Sequence, residues 1–332
     1  MSPHQRTTMK DVAEVAGVSI QTVSRVLNNS GSVSPSTREK VERAAESLRY
    51  QVNLAARSLA SKRSQMVGML VTGEIRFGVA EIFSALENRV AAEGRYLAMA
   101  TASSSDPEGI GRALSYLEGL QVGGLMVVAR EEATLRLVSA RTTIPCVAII
   151  AGEHVDPRVS TVSICQYDGA VRATEHLIET GCRNLVHITG DLTWQDAQER
   201  LRGFRDACRR AGAAADWIVG DSWFADVGHD AALDIIARGG VDGIVAGNDD
   251  IALGALHALH EAGVDVPGEI SVVGFDDTPQ AKFFVPALTS IRQPFQELGD
   301  AAFDELDARI AGRPAGHRYL QPELVVRATT RG

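Results

Sequence analysis

The sequence predicts an α/β protein that carries a small helical module at its N-terminus. Three observations support this class. Short apolar runs alternate with helical patterns from about residue 64 onward, the first sixty residues show only helical periodicity, and basic charge is concentrated in that first segment. With 332 residues, 45% of them hydrophobic, the chain is long enough for about two domains and a large buried core.

The charge is unevenly distributed along the chain. Residues 1–63 carry ten basic and five acidic side chains, a net charge of +5, whereas the whole chain has a net charge of −9. The remainder therefore carries −14. A basic segment attached to an acidic body favours a module that binds a polyanion, although a solvated basic face would give the same balance.

Several classes of protein are excluded by composition and pattern. No apolar run approaches the roughly 18 residues of a membrane helix, and the N-terminus lacks the apolar region of a secretory signal. The four cysteines lie at least 17 positions apart, which fits neither a redox pair nor a zinc cage. We therefore expect a reduced cytoplasmic protein with no metal and no cofactor.

The first sixty residues predict three short helices. Thr8 caps the first, which Gly17 ends; Ser19 caps the second; Ser34 caps the third, with Pro35 at its first position. Their apolar stripes are Val12, Val15 and Ala16, then Val23, Val26 and Leu27, then Val41, Ala44, Ala45 and Leu48. Two short helices joined by a turn that contains glycine form a helix-turn-helix.

The second helix of such a motif enters the major groove of DNA through its N-terminal end. Here that end presents an apolar, an amide and a guanidinium side chain, from Ile20, Gln21 and Arg25. These groups suit a thymine methyl, adenine and guanine respectively. Ser19, Thr22 and Asn28 are small donors suited to phosphate. An ordinary three-helix bundle with a polar outer face is the alternative.

The rest of the chain alternates strands with helices, which predicts βαβ units and parallel sheets. The predicted strands are 66–72, 95–100, 124–128, 145–151, 160–164, 185–189, 217–219, 243–246 and 270–274. The predicted helices are 80–93, 110–120, 167–180, 200–211, 227–237 and 250–262. Two series of similar size predict two α/β halves.

Residues 8–29, 33–38 and 50–59 resemble the headpiece of the LacI/GalR family of bacterial repressors. The resemblance is dense and ungapped over about fifty residues. It implies that Ile20, Gln21 and Arg25 read bases, with Thr8 and Ser24 among the DNA contacts. It also implies a hinge that becomes helical on operator DNA, with contacts from Asn53, Arg57 and Leu59, Leu59 being a wedge in the minor groove.

Residues 247–254, 270–277 and 286–293 resemble core signatures of the same family. They imply a two-lobed, periplasmic-binding-protein-like core with two parallel sheets and a ligand cleft between its lobes. The expected divisions are a headpiece at 1–52, a hinge at 53–63 and a core at 64–332. Within the core, the N-lobe would take 64–161 and 292–321, and the C-lobe 162–291 and 322–332. The last strand is expected to finish at the tail, 328–332, and because no heptad helix follows it, we expect a dimer.

The resemblance also implies which residues hold the effector, expected to be a sugar or a sugar derivative. These are Thr72, Arg76, Phe77, Arg200, Trp223, Asn248, Asp276 and Phe295. Arg200 would bind hydroxyls and Trp223 would cover the ring face, while Asp249 would brace a turn. Arg200 as a surface charge, Asp276 as a turn former and Trp223 as a core anchor are the structural alternatives.

Two departures from the lac-repressor pattern leave the identity of the ligand open. Ile150 stands where that repressor has an aspartate, and the first loop carries Glu74, Arg76 and Phe77 where that repressor is apolar. Arg76 could meet an acidic or phosphorylated ligand, or it could point to solvent.

The sequence gives little support for an enzymatic function, because the chain has no nucleophile elbow, P-loop or HExxH motif. His257 and His260 have helical spacing, but solvated histidines on a helix are common. A periplasmic sugar-binding protein or a sugar enzyme would not explain residues 8–59, and an architectural DNA-binding protein would not need the large body. We therefore predict a repressor that a sugar-type effector releases from a pseudo-palindromic operator, with a co-repressed regulator as the alternative.

Overall fold

A computed structural model describes residues 7–27, 31–50, 64–152 and 158–331. The chain divides into two compact units, residues 1–65 and residues 66–332, which are treated separately below. The expected hinge, together with Asn28, Asn53, Arg57 and Leu59, lies outside the described residues.

The first unit contains the three predicted helices, α1 (Met9–Ala16), α2 (Ile20–Leu27) and α3 (Pro35–Ser47). Their caps are confirmed. Thr8 and Asp11 form a reciprocal capping box, Gly17 ends α1 in the left-handed conformation, and Ser34 caps α3. Ser19 caps α2, because its hydroxyl accepts from the Thr22 amide at 3.1 Å.

The core of the first unit is small. Its buried residues are Val12, Ala13, Val23, Val26, Val41 and Ala44. The expected apolar stripe of α1 was wrong at Val15, which is 58% exposed. The inner face of α1 runs instead through Met9, Val12, Ala13 and Ala16, which is the i, i+3, i+4, i+7 pattern of one helix face.

The second unit contains two six-stranded sheets, which confirms the predicted class. The N-lobe sheet has the order β11-β5-β4-β3-β1-β2, and all its pairs are parallel. Its strands are β1 (Met66–Thr72), β2 (Tyr96–Ala102), β3 (Gly124–Val128), β4 (Cys146–Ile149), β5 (Ser160–Ile164) and β11 (His317–Leu320). Its helices are α4 (Phe77–Ala92), α5 (Pro107–Gly119), α6 (Glu132–Arg141) and α11 (Phe295–Ile310).

The C-lobe sheet has the order β12-β10-β9-β8-β6-β7, and only the β10–β12 pair is antiparallel. Its strands are β6 (Asn184–Asp191), β7 (Ala214–Gly220), β8 (Gly243–Ala246), β9 (Ser271–Asp276), β10 (Thr289–Arg292) and β12 (Glu323–Val325). Its helices are α7 (Gln166–Glu179), α8 (Gln195–Ala211), α9 (Ala225–Arg238) and α10 (Asp249–Glu261), with a 3₁₀ turn at Ala281–Phe283.

The chain passes between the lobes three times. It crosses at Cys165 between β5 and α7, at residues 293–294 between β10 and α11, and at residues 321–322 between β11 and β12. We expected the first crossing near Thr161, but β5 continues to Ile164 and pairs with β4 and β11 of the N-lobe. Two of the crossings place a glutamine, Gln166 or Gln293, directly beside the cleft.

Some boundaries differ from the expectation. Helix α8 begins at Gln195 rather than at Arg200, so its first turn adds residues at the cleft. Strand β12 ends at Val325, and the tail does not finish as a strand. Its threonines bind the sheet through hydroxyls instead, because Thr329 donates to the Val272 carbonyl at 2.7 Å and Thr330 pairs with Thr289 at 3.0 Å.

Within the described part of the chain, we find no helix with the length and apolarity that crossing a membrane requires.

Candidate functional site

The N-terminal end of α2 forms an exposed polar surface of the first unit. Ser19, Ile20, Gln21 and Arg25 are exposed, with Ile20 at 48%, while Val23 and Val26 on the opposite face are buried. The Ser19 and Thr22 hydroxyls bond to each other at 2.9 Å. The three side chains that were predicted to read bases therefore lie on one outward face of a short, capped helix.

Arg25 is available for an external partner. None of the ion pairs in the described residues involves it, and its aliphatic part lies 3.7 Å from the position that a Cβ of Gly31 would take. By contrast, Arg38 and Arg43 on α3 lie near Glu42 and Glu39, at 3.9 and 3.2 Å. A guanidinium that is positioned but not neutralised suits a bidentate contact with guanine.

A cavity of about 130 Å³ lies between the two lobes of the second unit. Its lining comes from residues that follow the carboxyl ends of strands in both sheets, where open α/β folds bind their ligands. Seven of the eight residues predicted to bind the effector line it: Arg76, Phe77, Arg200, Trp223, Asn248, Asp276 and Phe295. The eighth, Thr72, is not part of the lining; it is buried, and its hydroxyl donates to the Val128 carbonyl.

Four side chains form a closed ring of polar contacts at the C-lobe side of this cavity. Arg200 Nε donates to Gln166 Oε1 at 2.9 Å, Gln166 Nε2 donates to Gln293 Oε1 at 2.8 Å, and Gln293 Nε2 donates to Asp276 Oδ1 at 2.7 Å. The Asp276 carboxylate closes the ring, 3.7 Å from Arg200 Nη2. Because each member fixes the next, the guanidinium and the carboxylate are held in place before any ligand arrives.

Further contacts hold Arg200, which is 5% exposed. Its Nη1 donates to the Gly247 carbonyl, and its guanidinium lies 3.7 Å from the centre of the Phe275 ring. Burial lowers the pKa of Arg200 from its ordinary value. Arg200 is therefore a buried charge supported by an aspartate, two carbonyl-type acceptors and an aromatic face, and not a surface charge.

The aspartates at this end of the cavity sit in a dry environment. Burial raises the pKa of Asp276 to about 6. It raises that of Asp249 to about 7, with a further contribution from the neighbouring Asp276 charge. Asp249 lies behind the cavity lining and accepts from Ser290 Oγ at 2.6 Å and from the Thr278 amide at 2.7 Å. It braces the loop after β9, as expected, while Asp276 faces the cavity with a backbone φ of 108°.

Asn248 and Trp223 have structural contacts as well as cavity positions. Asn248 caps α10, since its Oδ1 accepts from the Ile251 amide at 2.9 Å, and its Nδ2 donates to the Trp223 carbonyl at 3.2 Å. Trp223 packs edge-on against Trp194, with ring centres 6.0 Å apart. Its indole Nε1 is buried and has no hydrogen-bond partner, so an unused donor remains at the site.

Arg76 reaches from the N-lobe to the C-lobe. Its Nη2 lies 3.3 Å from both the Trp223 carbonyl and Asp250 Oδ2, and its guanidinium lies 3.7 Å from the centre of the Phe224 ring. Its side chain is only 18% exposed. From the sequence, we interpreted Arg76 as either a ligand contact or a solvated charge. The structure shows a third arrangement, in which Arg76 forms a contact between the lobes.

The sequence analysis missed six polar residues of the cavity lining: Ser163, Gln166, Asp196, Asp250, Thr278 and Gln293. Gln293 belongs to the family segment 286–293, which was a usable signal, and Gln166 begins a predicted helix without any motif. Asp196 was missed because α8 was expected to start four residues after it. The described residues contain no group of three histidine, cysteine, aspartate or glutamate side chains that could hold a metal ion; His257 lies instead 3.4 Å from Glu261.

The chain matches two family descriptions. Residues 8–53 match "Bacterial regulatory proteins, lacI family", and residues 174–330 match "Periplasmic binding protein-like domain". The HTH-type transcriptional repressor PurR of Haemophilus influenzae is 32% identical over 334 residues, with 98% of each chain covered. The lactose operon repressor of Escherichia coli is 31% identical, with 97% of this chain and 90% of that protein covered.

Solved structures agree with this assignment. A lac repressor dimer bound to operator and the anti-inducer ONPF superposes with a TM-score of 0.90 at 30% identity, covering 99% of this chain and all of that one. A complex of the transcriptional regulator CelR with cellobiose gives 0.73 at 31% identity, covering 98% and 100%. Helix-turn-helix, two-lobed core and full-length similarity lead to one conclusion: the chain belongs to the LacI family of DNA-binding transcriptional repressors that respond to small-molecule effectors.

Proposed function

We propose that this protein is a homodimeric repressor whose operator affinity falls when a sugar-type effector enters the cavity between the lobes of its core. The observation that carries the proposal is the ring of Arg200, Gln166, Gln293 and Asp276 beside that cavity. The protein acts in the cytoplasm, as a regulator and not as an enzyme.

A sugar suits this ring because neighbouring hydroxyls need donors and acceptors side by side. The carboxylate of Asp276 accepts from a hydroxyl, and the guanidinium of Arg200 donates to one. Asn248 keeps one Nδ2 proton beyond its bond to the Trp223 carbonyl. Trp223 adds an aromatic surface and an unused indole donor, and the solved complex of a related regulator contains cellobiose.

The DNA-binding half of the proposal rests on α2. Ile20, Gln21 and Arg25 project from one exposed face, and a homodimer presents two such faces to the half-sites of a pseudo-palindrome. Ser19 and Thr22 lie at the same helix end, where small hydroxyls contact phosphate. Residues 53–63 join the two units in this scheme as the hinge, from which Leu59 would enter the minor groove.

Thermal unfolding in the presence of a panel of sugars and glycosides tests the effector half. A cavity ligand raises Tm because it binds only the folded state. Arg200→Ala should abolish the shift, since it removes two bonds from the ring. Arg202→Ala is the matched control, because that arginine lies on the same helix, is 58% exposed and pairs with Glu199. An equal ligand-induced Tm shift in Arg200→Ala and wild type would show that Arg200 does not contribute to ligand binding.

A fragment that starts at Ser64 tests the division of labour between the units. We expect it to fold, dimerise and keep its ligand-induced Tm shift, while losing operator binding in a gel-shift assay. The reason is that α1–α3 and the expected hinge, but none of the core strands, are removed. A fragment that still binds the operator would refute the assignment of DNA binding to the first unit.

A further inference from the structure

We propose that the N-lobe contains a second binding site, a cavity that takes a small molecule carrying a phosphate monoester. This cavity, called the arginine cavity below, has a volume of about 610 Å³, and four arginines line it: Arg141, Arg158, Arg309 and Arg313. It is separate from the cavity between the lobes, so its ligand is a different molecule from the effector described above.

The two cavities lie at opposite edges of the N-lobe sheet. All strand pairs of this sheet are parallel, so its strands start at one edge and end at the other. Val128 and Ile149, at the ends of β3 and β4, line the cavity between the lobes. Cys146, at the start of β4, and Val159, just before β5, line the arginine cavity. The protein can therefore hold a ligand in each cavity at the same time.

The charge of the arginine cavity is one-sided. Its lining contains four arginines and, among the described residues, no carboxylate, although the chain beyond residue 63 has a net charge of −14. Most other arginines of the core pair with carboxylates, as Arg89 does with Glu93 and Asp304. The ion pairs that the described residues form include none from Arg141, Arg309 or Arg313. The cavity therefore has positive charge that these residues do not neutralise.

Arg309, in the last turn of α11, holds the cavity together. Its Nη1 donates to the Arg313 carbonyl at 2.9 Å, and its Nη2 donates to the Arg158 carbonyl at 2.8 Å. It thereby fixes the backbone of two other arginines of the cavity. Its Nε–H is buried and lacks a hydrogen-bond partner within the described part of the chain. Because carbonyl oxygens accept hydrogen bonds without bringing a net charge, the positive charge of Arg309 remains.

Two of the arginines keep donors for an external partner. The side chain of Arg313 is exposed and, as far as the structure describes the chain, forms no hydrogen bond or ion pair. Arg141 donates from Nη1 to the Pro107 carbonyl at 2.8 Å, which leaves its Nε and Nη2 for another acceptor. Arg158 is more restrained, since its Nη2 donates to the Ser139 hydroxyl at 3.1 Å.

A structural role for these arginines would be to offset the negative ends of helices. Helices α6 and α11 both end at the cavity, at Arg141 and Ile310. Each helix C-terminus is equivalent to about half a negative charge, so the two ends offset about one of the four positive charges. Most of the charge is therefore available to an anion from outside the chain.

A phosphate monoester matches both this charge and the arrangement of donors. It carries about −1.5 to −2 charges at pH 7 and three acceptor oxygens, so it can bind several guanidinium groups at once. The volume of about 610 Å³ lies within the range of small-molecule pockets, roughly 300–1,000 Å³. Ile144 and Pro145 supply apolar lining for the organic part of the ester. Because the arginines converge on one recess from separate segments, they suit a small ligand better than the extended backbone of DNA.

Calorimetry of the full-length protein with two phosphate probes tests the site. The probes are glycerol 3-phosphate and inorganic phosphate, with glycerol as the uncharged control, all at one ionic strength so that screening is constant. We expect both phosphates to bind and glycerol not to bind. Failure of both phosphates to bind would overturn the proposal.

Arg313→Gln tests whether the phosphates bind in the arginine cavity. The substitution removes an exposed guanidinium without breaking a contact that the structure describes, so the fold should be unaffected. We expect the affinity for both probes to fall about tenfold or more, because a charge-assisted pair is lost. Arg136→Gln is the matched control, since Arg136 is an exposed arginine of α6 that pairs with Glu132 outside the cavity. Equal affinities in Arg313→Gln and wild type would overturn the proposal.

Arg200→Ala distinguishes the two cavities, and it should bind both phosphates as wild type does. Loss of phosphate binding in Arg200→Ala, with none in Arg313→Gln, would assign the phosphate to the cavity between the lobes and overturn the second site. A DNA contact would show itself differently: neither probe would bind, and Arg313→Gln would weaken binding to random-sequence DNA more than Arg136→Gln does. That result would also overturn the small ligand. None of these outcomes decides the response to sugars, which the Tm measurements test separately.

Discussion

Asp249 and Asp276 carry an electrostatic cost that is built into the cleft. Both carboxyls keep their protons to a higher pH in the folded chain than in the unfolded chain, with pKa values of about 7 and about 6 and an ordinary value of 3.8. The folded state therefore binds more protons than the unfolded state between about pH 4 and pH 7. These groups lower the free energy of unfolding as pH rises through that window.

Asp249→Asn should flatten this dependence, because the amide cannot ionise. Each such group contributes at most about 1.4 kcal/mol per pH unit inside the window. Urea unfolding of the core at pH 4.5, 5.5, 6.5 and 7.5, followed by tryptophan fluorescence, measures the slope. Asp206→Asn is the control, because that residue contacts Tyr167 and Arg209 and does not line the cavity. Identical slopes in Asp249→Asn and wild type would contradict the burial argument.

Arg25 separates base reading from phosphate attraction. We expect Arg25→Ala to lose about 1–3 kcal/mol on an operator obtained by selection from random DNA, and much less on unselected DNA, because a bidentate guanine contact is specific. Arg43→Ala, an exposed arginine of α3 paired with Glu39, is the control. Titration of both DNAs at one salt concentration measures the difference. Equal losses on both would identify Arg25 as a phosphate contact.

At the scale of elements, helices α9 and α10 approach each other through glycines. A Cβ at Gly228 would overlap the carbonyl oxygen of Ile251, and one at Gly254 would overlap that of Ala225. The close approach carries the start of α10, and with it the Asn248 cap, to the edge of the cavity.

Gly228→Ala and Gly254→Ala should therefore each reduce the free energy of unfolding by about 1–3 kcal/mol, the usual cost of overpacking. Gly119→Ala in the last turn of α5 has open space and should be neutral or stabilise by up to about 1 kcal/mol. Denaturation of the three variants tests the packing. Destabilisation of Gly119→Ala to the same extent would show that the loss of stability does not depend on the close approach of α9 and α10.

The contact between Arg76 and Asp250 joins two elements from different lobes, the start of α4 and the first turn of α10. A double-mutant cycle with Arg76→Ala and Asp250→Ala should give a coupling energy of about 0.5–1 kcal/mol in the unfolding of the core, since the pair is partly exposed. Additive effects of the two substitutions would show that the contact does not stabilise the core.

How far the sequence could predict these elements depends on the range of the interactions. The caps at Thr8, Gly17 and Ser34 were predictable because each involves neighbours a few residues away. The ring at the cleft was not, since Gln166 and Gln293 are 127 positions apart and meet only through two chain crossings. The sequence did not predict helix α11. The contact of Arg76 between the lobes joins residues far apart along the chain, so it could be recognised only from the fold.

At the scale of the whole molecule, the central claim is a coupling free energy between two sites on one chain. The ring at the cavity includes Gln166 and Gln293, which lie at two of the three chain crossings, so a ligand that binds the ring also contacts the segments that connect the lobes. Such coupling is reciprocal: a ligand that weakens operator binding is itself bound less tightly by the operator complex.

Operator affinity of the full-length protein, measured with and without a saturating effector at fixed salt, tests this claim most directly. We predict a 5- to 150-fold loss of affinity on adding the effector, equivalent to about 1–3 kcal/mol of coupling. Arg200→Ala should bind the operator as wild type does and show no loss on adding the effector. An effector that binds wild type without changing its operator affinity would contradict the coupling, and one that tightens operator binding would contradict induction and establish the co-repressed alternative.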